Sequence, residues 1–451
     1  MLTLQDVIFA TGGVPEARLP ALSTGVRGVT TDSRRVRAGE LFVPLRGERF
    51  DGHRFLAQAL GDGAVACLSE EAFEGPVVRV GNTLAAYQAL ARWHREQFPQ
   101  CAVVAVTGSN GKTLTKDLLA HLLSQSRPVI KTPANLNNEI GLPQTLFLIG
   151  EGTEAAVVEM GMRGRGQIAE LAAIARPQVG VITTIGEAHL ELLGSREAIA
   201  DAKAELVEGL APGGTSVLPR DNPYYERLRA KASGPVLTFG SHAEADVRVV
   251  AFEPLGWHGS RVRVSVTGQE LTVDFPLLGR HLVDNLLAAL AACRALGAPL
   301  KLDLSKFEAS GQRLEPVRTG RGMAVINDAY NASPTSVRGA LELLPHLPCQ
   351  GRRIAVLGDM LELGPVEVSA HEDVGRMAAR VGVDVLVAVG ERSRRMAEVF
   401  GESGRPVVRA AHAAQAVDEV LKLVRPEDLV LVKASHSIGL EAVVEALQAR
   451  A

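Results

Sequence analysis

Seven consecutive residues, Thr107-Gly108-Ser109-Asn110-Gly111-Lys112-Thr113, have the types and spacing of a loop that binds the phosphates of ATP. They follow the apolar run at 102–106 and precede leucines at helical spacing, as such a loop between a strand and a helix requires. Glycines let backbone N–H groups approach the phosphates, Lys112 can reach the β- and γ-phosphates, and the Thr113 hydroxyl can ligate Mg²⁺. The general pattern has a glycine where Val106 stands. The alternative is a glycine-rich turn with an incidental lysine.

Two further side chains could bind the magnesium ion that such a loop needs. Glu159 ends the apolar run at 155–159, and His189 follows the run at 179–183. The carboxyl ends of parallel strands meet at one edge of a sheet, where a carboxylate can face Mg²⁺. The alternatives are a solvated glutamate at a strand end and a surface histidine.

Lys203 has apolar neighbours at helical spacing, with Ile199 four residues before it and Leu206 and Val207 three and four residues after it. It is therefore predicted on the apolar side of a helix. A semi-buried lysine has a lowered pKa and is available as a neutral amine. The alternative is a lysine whose stem is buried while its ammonium group reaches water.

Two asparagine-rich turns could bind substrate or nucleotide oxygens. Asn135, Asn137 and Asn138 precede the segment 141–143, and their amides could bind phosphate or substrate oxygens. Ordinary turn chemistry is the alternative. Asp328, after the apolar run at 323–326, could accept ribose hydroxyls, and capping of the next helix is the alternative of equal weight.

The chain divides into three stretches whose elements must position these side chains. Short apolar strands run to about residue 81, and a helix is predicted over 82–98. From residue 101, apolar runs alternate with helical patterns, which indicates βαβ units and a mostly parallel sheet. Residues 236–276 are predicted as β-hairpins of an antiparallel flap, followed by a helix over 284–296. We predict an α/β protein with domains at 1–83, 84–312 and 313–451.

The composition excludes several classes of protein. The 451 residues are 46% hydrophobic and 22% charged, which excludes a disordered chain. The net charge of −3 gives no basic field for nucleic acid or an acidic membrane. No apolar stretch reaches the ~18 residues of a membrane span, and the N-terminus does not resemble a secretory signal. The four cysteines form no CxxC pair, so reduced, mostly buried thiols and a cytoplasmic location are expected.

Together these motifs closely resemble the Mur ligase family, the amide ligases that build peptidoglycan precursors. The resemblance rests on TGSNGKT, ANLNNEIGLPQ, EMG, GEAHLELLGSREAIADAKAEL, GRHLVDN and NDAYNASPTS, which occur in this order. The N-terminal segment TDSRRVRAGELFVPLRGERFDGH is similar to the UDP-binding domain of the family. The resemblance implies a small UDP-binding N-terminal domain, a central phosphate-loop ATPase and a C-terminal Rossmann-like domain.

The resemblance also implies roles for individual residues. Lys112 and Thr113 would serve the ATP phosphates and Mg²⁺, and Glu159 and His189 would ligate magnesium. Lys203 would carry a carbamate formed from CO₂, an anion that helps to hold a second Mg²⁺. The other implied contacts are Asn285, Arg313 and Asp328 to the nucleotide, Asn137 and Asn138 near the nucleotide and acyl substrate, and Ser33 and Arg34 near the uridine nucleotide.

The motifs VLGDMLELG and KASHSIGLE indicate which reaction of the family is expected. They are most similar to the member that adds D-alanyl-D-alanine to UDP-N-acetylmuramoyl-tripeptide through an acyl phosphate, the last cytoplasmic step of pentapeptide precursor synthesis. A monomer without nucleic-acid partners or membrane insertion is expected. The alternatives are another Mur ligase or a folylpolyglutamate-type ligase, and a non-catalytic nucleotide-dependent switch.

Three positions depart from the pattern of the family. Leu282 stands where an asparagine is usual, and Asn327 replaces the first of two aspartates. His436 stands in the terminal motif where arginine is common. A histidine cannot copy the bidentate grip of arginine on a carboxylate, so no dipeptide-binding role is assigned to His436.

Overall fold

The computed structural model describes residues 2–47, 50–311, 313–319 and 322–449. Three α/β units follow one another along the chain, each built on a sheet of its own. The predicted fold class is thereby confirmed. The predicted boundary at residue 312 falls on a residue outside the described ranges.

The N-terminal unit contains a five-stranded sheet and a separate two-stranded sheet. Its strands are β1 (Leu2–Thr3), β2 (Val14–Pro15), β3 (Gly25–Val26), β4 (Val29–Thr30), β5 (Leu41–Phe42), β6 (Ala66–Ser69) and β7 (Val77–Arg79). Its helices are α1 (Leu4–Thr11), α2 (Leu56–Gly61) and α3 (Thr83–Glu96). The larger sheet has the order β2-β7-β6-β5-β4, and only β2 is antiparallel to its neighbour. The helix predicted over 82–98 is α3, which Asn82 caps by accepting from the Ala85 backbone N–H.

The central unit is built on a nine-stranded sheet of order β16-β15-β14-β13-β12-β11-β8-β10-β9. Its strands are β8 (Ala102–Thr107), β9 (Val129–Lys131), β10 (Ala155–Glu159), β11 (Val179–Ile182), β12 (Thr215–Pro219), β13 (Val236–Gly240), β14 (Val247–Pro254), β15 (Ser260–Val266) and β16 (Gln269–Phe275). Its helices are α4 (Lys112–Ser124), α5 (Gly141–Leu146), α6 (Gln167–Ala175), α7 (Leu190–Leu193), α8 (Arg196–Glu208), α9 (Tyr225–Arg229) and α10 (Val283–Ala295).

Strand β8 explains why this sheet is covered on both faces. Successive side chains of a strand point to opposite faces. Val104 and Val106 are buried in a cluster with residues of α4 and α10, whereas Val103 and Ala105 are buried with residues of α6 and α8. A continuous apolar run is therefore required, and it is what the sequence has at 102–106.

The segment predicted as an antiparallel flap extends the central sheet. Strands β14, β15 and β16 pair antiparallel, as predicted. Strand β13, however, pairs parallel with both β12 and β14, so its prediction as part of a hairpin was wrong. The apolar character of a strand predicts burial, but it does not specify the direction of the neighbouring strand.

The C-terminal unit contains a six-stranded sheet of order β17-β18-β22-β19-β20-β21, in which only β17 is antiparallel. Its strands are β17 (Glu315–Arg318), β18 (Ala324–Asn327), β19 (Arg353–Gly358), β20 (Val385–Val389), β21 (Val407–Ala410) and β22 (Leu429–Lys433). Its helices are α11 (Pro334–Leu343), α12 (Glu367–Arg380), α13 (Arg394–Gly401), α14 (Ala413–Leu423) and α15 (Glu441–Ala449).

Two further expectations concern the cysteines and membranes. Cys67, Cys101 and Cys293 are buried, Cys349 is partly exposed, and all four are free thiols, as predicted. Among the helices in the described ranges, none combines the length and apolar character that a membrane crossing needs.

Candidate active site

A pocket lies between the carboxyl ends of β8 and β10 and the C-terminal unit. Predicted site residues of the central unit form one wall: Ser109, Asn110, Gly111, Lys112, Thr113, Asn137, Glu159 and Asn285. The facing wall includes Arg313, Asp328, Tyr330, Asn331 and Lys433. Residues more than 300 positions apart in the chain thus line one pocket.

The loop between β8 and α4 has the open shape of a phosphate cradle. Gly108 and Gly111 have φ angles of +149° and +80°, which favour glycine. A Cβ on Gly108 would overlap the Thr183 hydroxyl, and a Cβ on Gly111 would overlap the Asn285 amide. The Lys112 ammonium donates to the Gly108 carbonyl oxygen at 2.9 Å, and α4 begins at Lys112. Backbone, lysine and helix N-terminus thus combine to favour an anion here.

Asn285 supports this loop from behind. Its amide Nδ2 donates to the Gly111 carbonyl oxygen at 3.3 Å and to the Thr115 hydroxyl at 3.1 Å. Asn285 is only 8% exposed. A residue predicted as a nucleotide contact therefore also fixes the last glycine of the loop.

Glu159 is a buried carboxylate with one oxygen unpaired. It is 1% exposed, which excludes the alternative of a solvated strand end. Its Oε1 accepts from Asn137 Nδ2 at 2.7 Å, whereas its Oε2 is buried without a hydrogen-bond partner among the described residues. The ammonium nearest to Oε2 is that of Lys116, at 3.9 Å. An unpaired buried carboxylate oxygen is costly unless a cation neutralises it.

Lys203 lies on α8 and is 2% exposed, so the alternative of an ammonium that reaches water is excluded. Burial lowers its pKa well below the ordinary value, and the positive charge of Lys112 lowers it further. No residue in the described ranges forms a hydrogen bond or ion pair with its side-chain amine. Burial and the neighbouring Lys112 charge therefore both favour the neutral form of the Lys203 amine.

His189 precedes α7 and contacts the C-terminal unit. Its Nδ1 lies 2.8 Å from Glu362 Oε2. Burial lowers the pKa of His189, the Glu362 carboxylate opposes this shift, and the charge of Lys112 adds to it. A neutral imidazole is the form that ligates metals.

The facing wall carries a buried ion pair. Lys433 Nζ lies 2.6 Å from Asp328 Oδ2, and both residues are less than a tenth exposed. Burial raises the pKa of Asp328, although the Lys433 charge opposes this shift. Arg313 donates to the Thr113 hydroxyl at 3.3 Å and lies 5.4 Å from the Tyr330 ring centre. This wall therefore adds two cations opposite the phosphate loop.

Seven predicted residues are not among those that line the pocket: Ser33, Arg34, Thr107, Gly108, Asn138, His189 and Lys203. Arg34, in a turn at 33–35 that includes Ser33, pairs with Asp32 at 2.9 Å. Asn138 accepts from the Gly141 backbone N–H at 2.9 Å, which matches ordinary turn chemistry. The Thr107 hydroxyl donates to the Met160 carbonyl oxygen inside the core.

Of the three positions that depart from the family pattern, one lies in the pocket lining and two do not. Leu282 lines the pocket. Asn327 accepts from the Ala329 backbone N–H at 3.3 Å. The side chain of His436 is 76% exposed and lies 3.3 Å from Glu441, outside the pocket lining.

Sequence reasoning did not assign roles to three charged residues near the site. Lys116 is fully buried and donates to the Thr132 and Ala134 carbonyl oxygens at 3.0 Å each. Its spacing of four residues from Lys112 on α4 was a usable signal, because such residues share a helix face. Lys433, at a strand end, offered a similar signal. Glu362 offered none, since its partner His189 is 173 residues away.

The residues present fit a magnesium ion bound together with a nucleotide. Thr113 and Glu159, whose Oε2 has no hydrogen-bond partner among the described residues, line the same pocket. No three histidine, cysteine or acidic side chains gather into a metal cluster within the described part of the chain. Magnesium commonly uses one or two carboxylates together with substrate phosphates and water. The donor set is therefore that of a metal–nucleotide site.

Comparison with protein-family models matches three regions of the chain. Residues 25–96 match the Mur ligase family catalytic domain, residues 106–293 the Mur ligase middle domain, and residues 312–436 the Mur ligase glutamate ligase domain. The matches cover all three units and include the phosphate loop.

Individual relatives match over nearly their whole length. The UDP-N-acetylmuramoyl-tripeptide–D-alanyl-D-alanine ligase of Bacillus subtilis is 38% identical over 94% of this chain and 93% of its own. The crystal structure of MurF from Acinetobacter baumannii superposes with a TM-score of 0.90 at 31% identity, covering 99% of this chain and 98% of its own. MurF from Thermotoga maritima, solved in complex with ADP, gives 0.84 at 29% identity, covering 94% and 97%. The chain therefore belongs to the Mur ligase family.

Proposed function

We propose that the chain is an ATP-dependent, ADP-forming ligase that joins D-alanyl-D-alanine to UDP-N-acetylmuramoyl-tripeptide. The observation that carries the ligase activity is the single pocket in which the phosphate loop faces Arg313 and the Asp328–Lys433 pair. The choice of substrates is supported by the full-length similarity to relatives named for this reaction. The product is the pentapeptide precursor of peptidoglycan.

The reaction has two group-transfer steps. A carboxylate oxygen of the tripeptide attacks the γ-phosphorus of ATP, which forms an acyl phosphate and releases ADP. The amine of D-alanyl-D-alanine then attacks the acyl carbon, which forms the amide, releases phosphate and frees a proton. Lys112 and Arg313 offset the repulsion between the anionic carboxylate and the phosphates.

Thr113, Glu159 and His189 are proposed to hold magnesium. Bound Mg²⁺ supplies positive charge to the phosphate oxygens. The neutral amine of Lys203 is proposed to react with CO₂ to give a carbamate and a proton, which places an anion where the folded chain alone has an amine. Its burial and lowered pKa support this role, because only the neutral amine reacts.

The remaining assignments complete the proposal. Asn285, Arg313 and Asp328 are proposed to contact the nucleotide, Asn137 and Asn138 to lie near the acyl substrate, and Ser33 and Arg34 to lie near the uridine nucleotide. The chain is proposed to act in the cytoplasm as a monomer. Light scattering of the purified protein measures the oligomeric state directly.

An acceptor panel tests the proposed function. ADP release is measured with Mg²⁺, bicarbonate, ATP and UDP-N-acetylmuramoyl-tripeptide carrying either L-lysine or meso-diaminopimelate, with D-alanyl-D-alanine or another amine added. We expect release only when tripeptide and D-alanyl-D-alanine are both present, and none from Lys112→Ala. Turnover with glutamate and folate would instead identify a folylpolyglutamate-type ligase. ATP binding without acceptor-dependent turnover would identify a nucleotide switch.

A further inference from the structure

The contact between His189 and Glu362 joins two residues in strained backbone conformations. His189 has a φ angle of +67° and Glu362 one of +61°, in the left-handed region that non-glycine residues rarely adopt. Their side chains meet at 2.8 Å, from Nδ1 to Oε2. Strained residues persist where the surrounding structure holds them, and such positions cluster at functional sites.

The C-terminal unit holds the Glu362 segment from two sides. The buried His371 lies 2.7 Å from the Glu367 carbonyl oxygen through Nδ1 and accepts from the Met360 backbone N–H through Nε2 at 3.1 Å. The Ser435 hydroxyl accepts from the Leu361 backbone N–H at 3.0 Å. Glu362 therefore follows two anchored residues, and its carboxylate is presented on a fixed segment.

The central unit packs closely against the same segment. The Glu191 backbone N–H donates to the Glu362 carbonyl oxygen at 3.3 Å. Gly364, with a φ angle of +53°, lies close to Glu191. A Cβ added to Gly364 would sit 3.1 Å from the Glu191 Cα. Backbone and side chain of Glu362 thus both contact the segment that carries His189.

We propose that Glu362 is a positioning residue for His189, so that docking of the C-terminal unit completes the metal site of the central unit. The proposal rests on the proposed function, in which His189 ligates magnesium. A metal-ligating histidine usually donates its second ring N–H to a carboxylate or carbonyl, which fixes the tautomer and the ring orientation. Here Nδ1–H donates to Glu362, which leaves the Nε2 lone pair for the metal. His189 is correctly oriented only while the two units are docked.

Metal affinity measured with Mn²⁺ as the probe tests this inference. Free Mn²⁺ is titrated by electron paramagnetic resonance in the presence of protein and a non-hydrolysable ATP analogue. We expect Glu362→Ala to raise the Mn²⁺ Kd about 10- to 100-fold, the usual effect of removing such a partner. The side-chain oxygen of glutamine in Glu362→Gln can still accept a hydrogen bond from Nδ1–H, so this variant should give a smaller increase in the Mn²⁺ Kd. Glu342→Gln, an exposed glutamate of the same unit, should leave the Kd unchanged.

A double-variant comparison separates positioning from a direct effect. If Glu362 acts through His189, Glu362→Ala should add no further loss of Mn²⁺ affinity to that of His189→Ala. An unchanged Kd in Glu362→Ala, or full additivity in the double variant, would overturn the inference.

Hydrogen–deuterium exchange of the protein without metal gives an independent readout. Glu362→Ala should speed exchange in the segment 187–194, and Glu342→Gln should not. Faster exchange with an unchanged Mn²⁺ Kd would make the contact purely structural and overturn the positioning role. Normal Mn²⁺ binding by a wild-type protein that fails to ligate would instead refute the proposed function. In that case the Kd comparison still tests Glu362.

Discussion

The ionisable side chains that are almost fully removed from water near the pocket include Lys116, Glu159 and Lys203. Burying a charge is costly unless it is paired or neutralised, and the three residues differ in how far this requirement is met. Lys116 donates to two carbonyl oxygens, one Glu159 oxygen has no hydrogen-bond partner among the described residues, and burial shifts the pKa of Lys203 towards the neutral form. Such differences among neighbouring groups are typical of sites that perform chemistry.

Replacing Lys203 tests its carbamate role. Lys203→Ala should abolish ligation, because the proposed carbamate, the anion that would help to hold magnesium, can no longer form. Small carboxylic acids such as acetate should restore part of the activity by occupying the space of the carbamate. The measurement is ADP release with both substrates, with and without the acid. Lys231→Ala is the matched control, since Lys231 is an exposed lysine paired with Glu208. Near-normal activity of Lys203→Ala would refute the role.

At the scale of elements, the turn between β8 and α4 depends on its glycines. Gly111→Ala should weaken ATP binding at least ten-fold, because the added Cβ requires both an unfavourable positive φ and displacement of the Asn285 amide. Gly213→Ala is the control. Gly213 has a similar φ of +77° but open space around it, so it carries only the backbone cost of about 1–2 kcal/mol. Calorimetric titration with ATP measures the difference, and equal affinities in both variants would contradict it.

The short turn before α10 should make stability depend on pH through His281. Burial, with the charges of Lys433 and Arg280, lowers the pKa of His281 to about 4. The unfolded chain takes up this proton near pH 6.5, so between pH 6.5 and 4 the unfolded state binds more protons. The free energy of unfolding should therefore fall as pH falls through this window, by up to about 1.4 kcal/mol per pH unit from this group.

Urea unfolding at several pH values checks this expectation. His281→Gln should show a shallower decrease than the wild type between pH 6.5 and 4.5. Comparing the two proteins at each pH isolates His281, because the other titrating groups, including the buried Asp284, are common to both. Parallel curves would contradict the prediction.

The same elements show what local sequence could predict. Strands β8 and β10 were predicted to within one residue because burial on both faces demands an unbroken apolar run. The direction of β13 was mistaken because strand pairing depends on distant partners. Similarly, the helical spacing around Lys203 predicted its place on the apolar side of a helix, whereas the contact between His189 and Glu362 depends on how two units dock. Local patterns therefore predicted the elements and the loop, and tertiary contacts decided the rest.

At the scale of the whole molecule, the two walls of the pocket belong to separate hydrophobic cores. Val106 and Leu114, which flank the phosphate loop, are buried in the central core, whereas Ile326 and Leu431, near Asp328 and Lys433, are buried in the C-terminal core. Inter-domain interfaces within one chain commonly permit relative motion. A motion that closes the C-terminal unit over the central unit would also exclude water from the pocket. The acyl phosphate requires this because it hydrolyses in water.

Small-angle scattering measures this closure. An ATP analogue together with UDP-N-acetylmuramoyl-tripeptide should reduce the radius of gyration, because ligands that contact both walls favour the closed arrangement. The ATP analogue with Arg313→Ala should give less compaction, since one cation of the facing wall is missing. An unchanged radius in the wild type would contradict ligand-driven closure.

The division of cations between the two walls has a consequence for a resting cell. Lys112 belongs to the central unit, whereas Arg313 and Lys433 belong to the C-terminal unit. A molecule with its units apart would retain the loop that binds ATP yet lack two of these three cations, Arg313 and Lys433. ATP hydrolysis without ligation would thus stay low until both substrates are bound, because the units would not be docked before then.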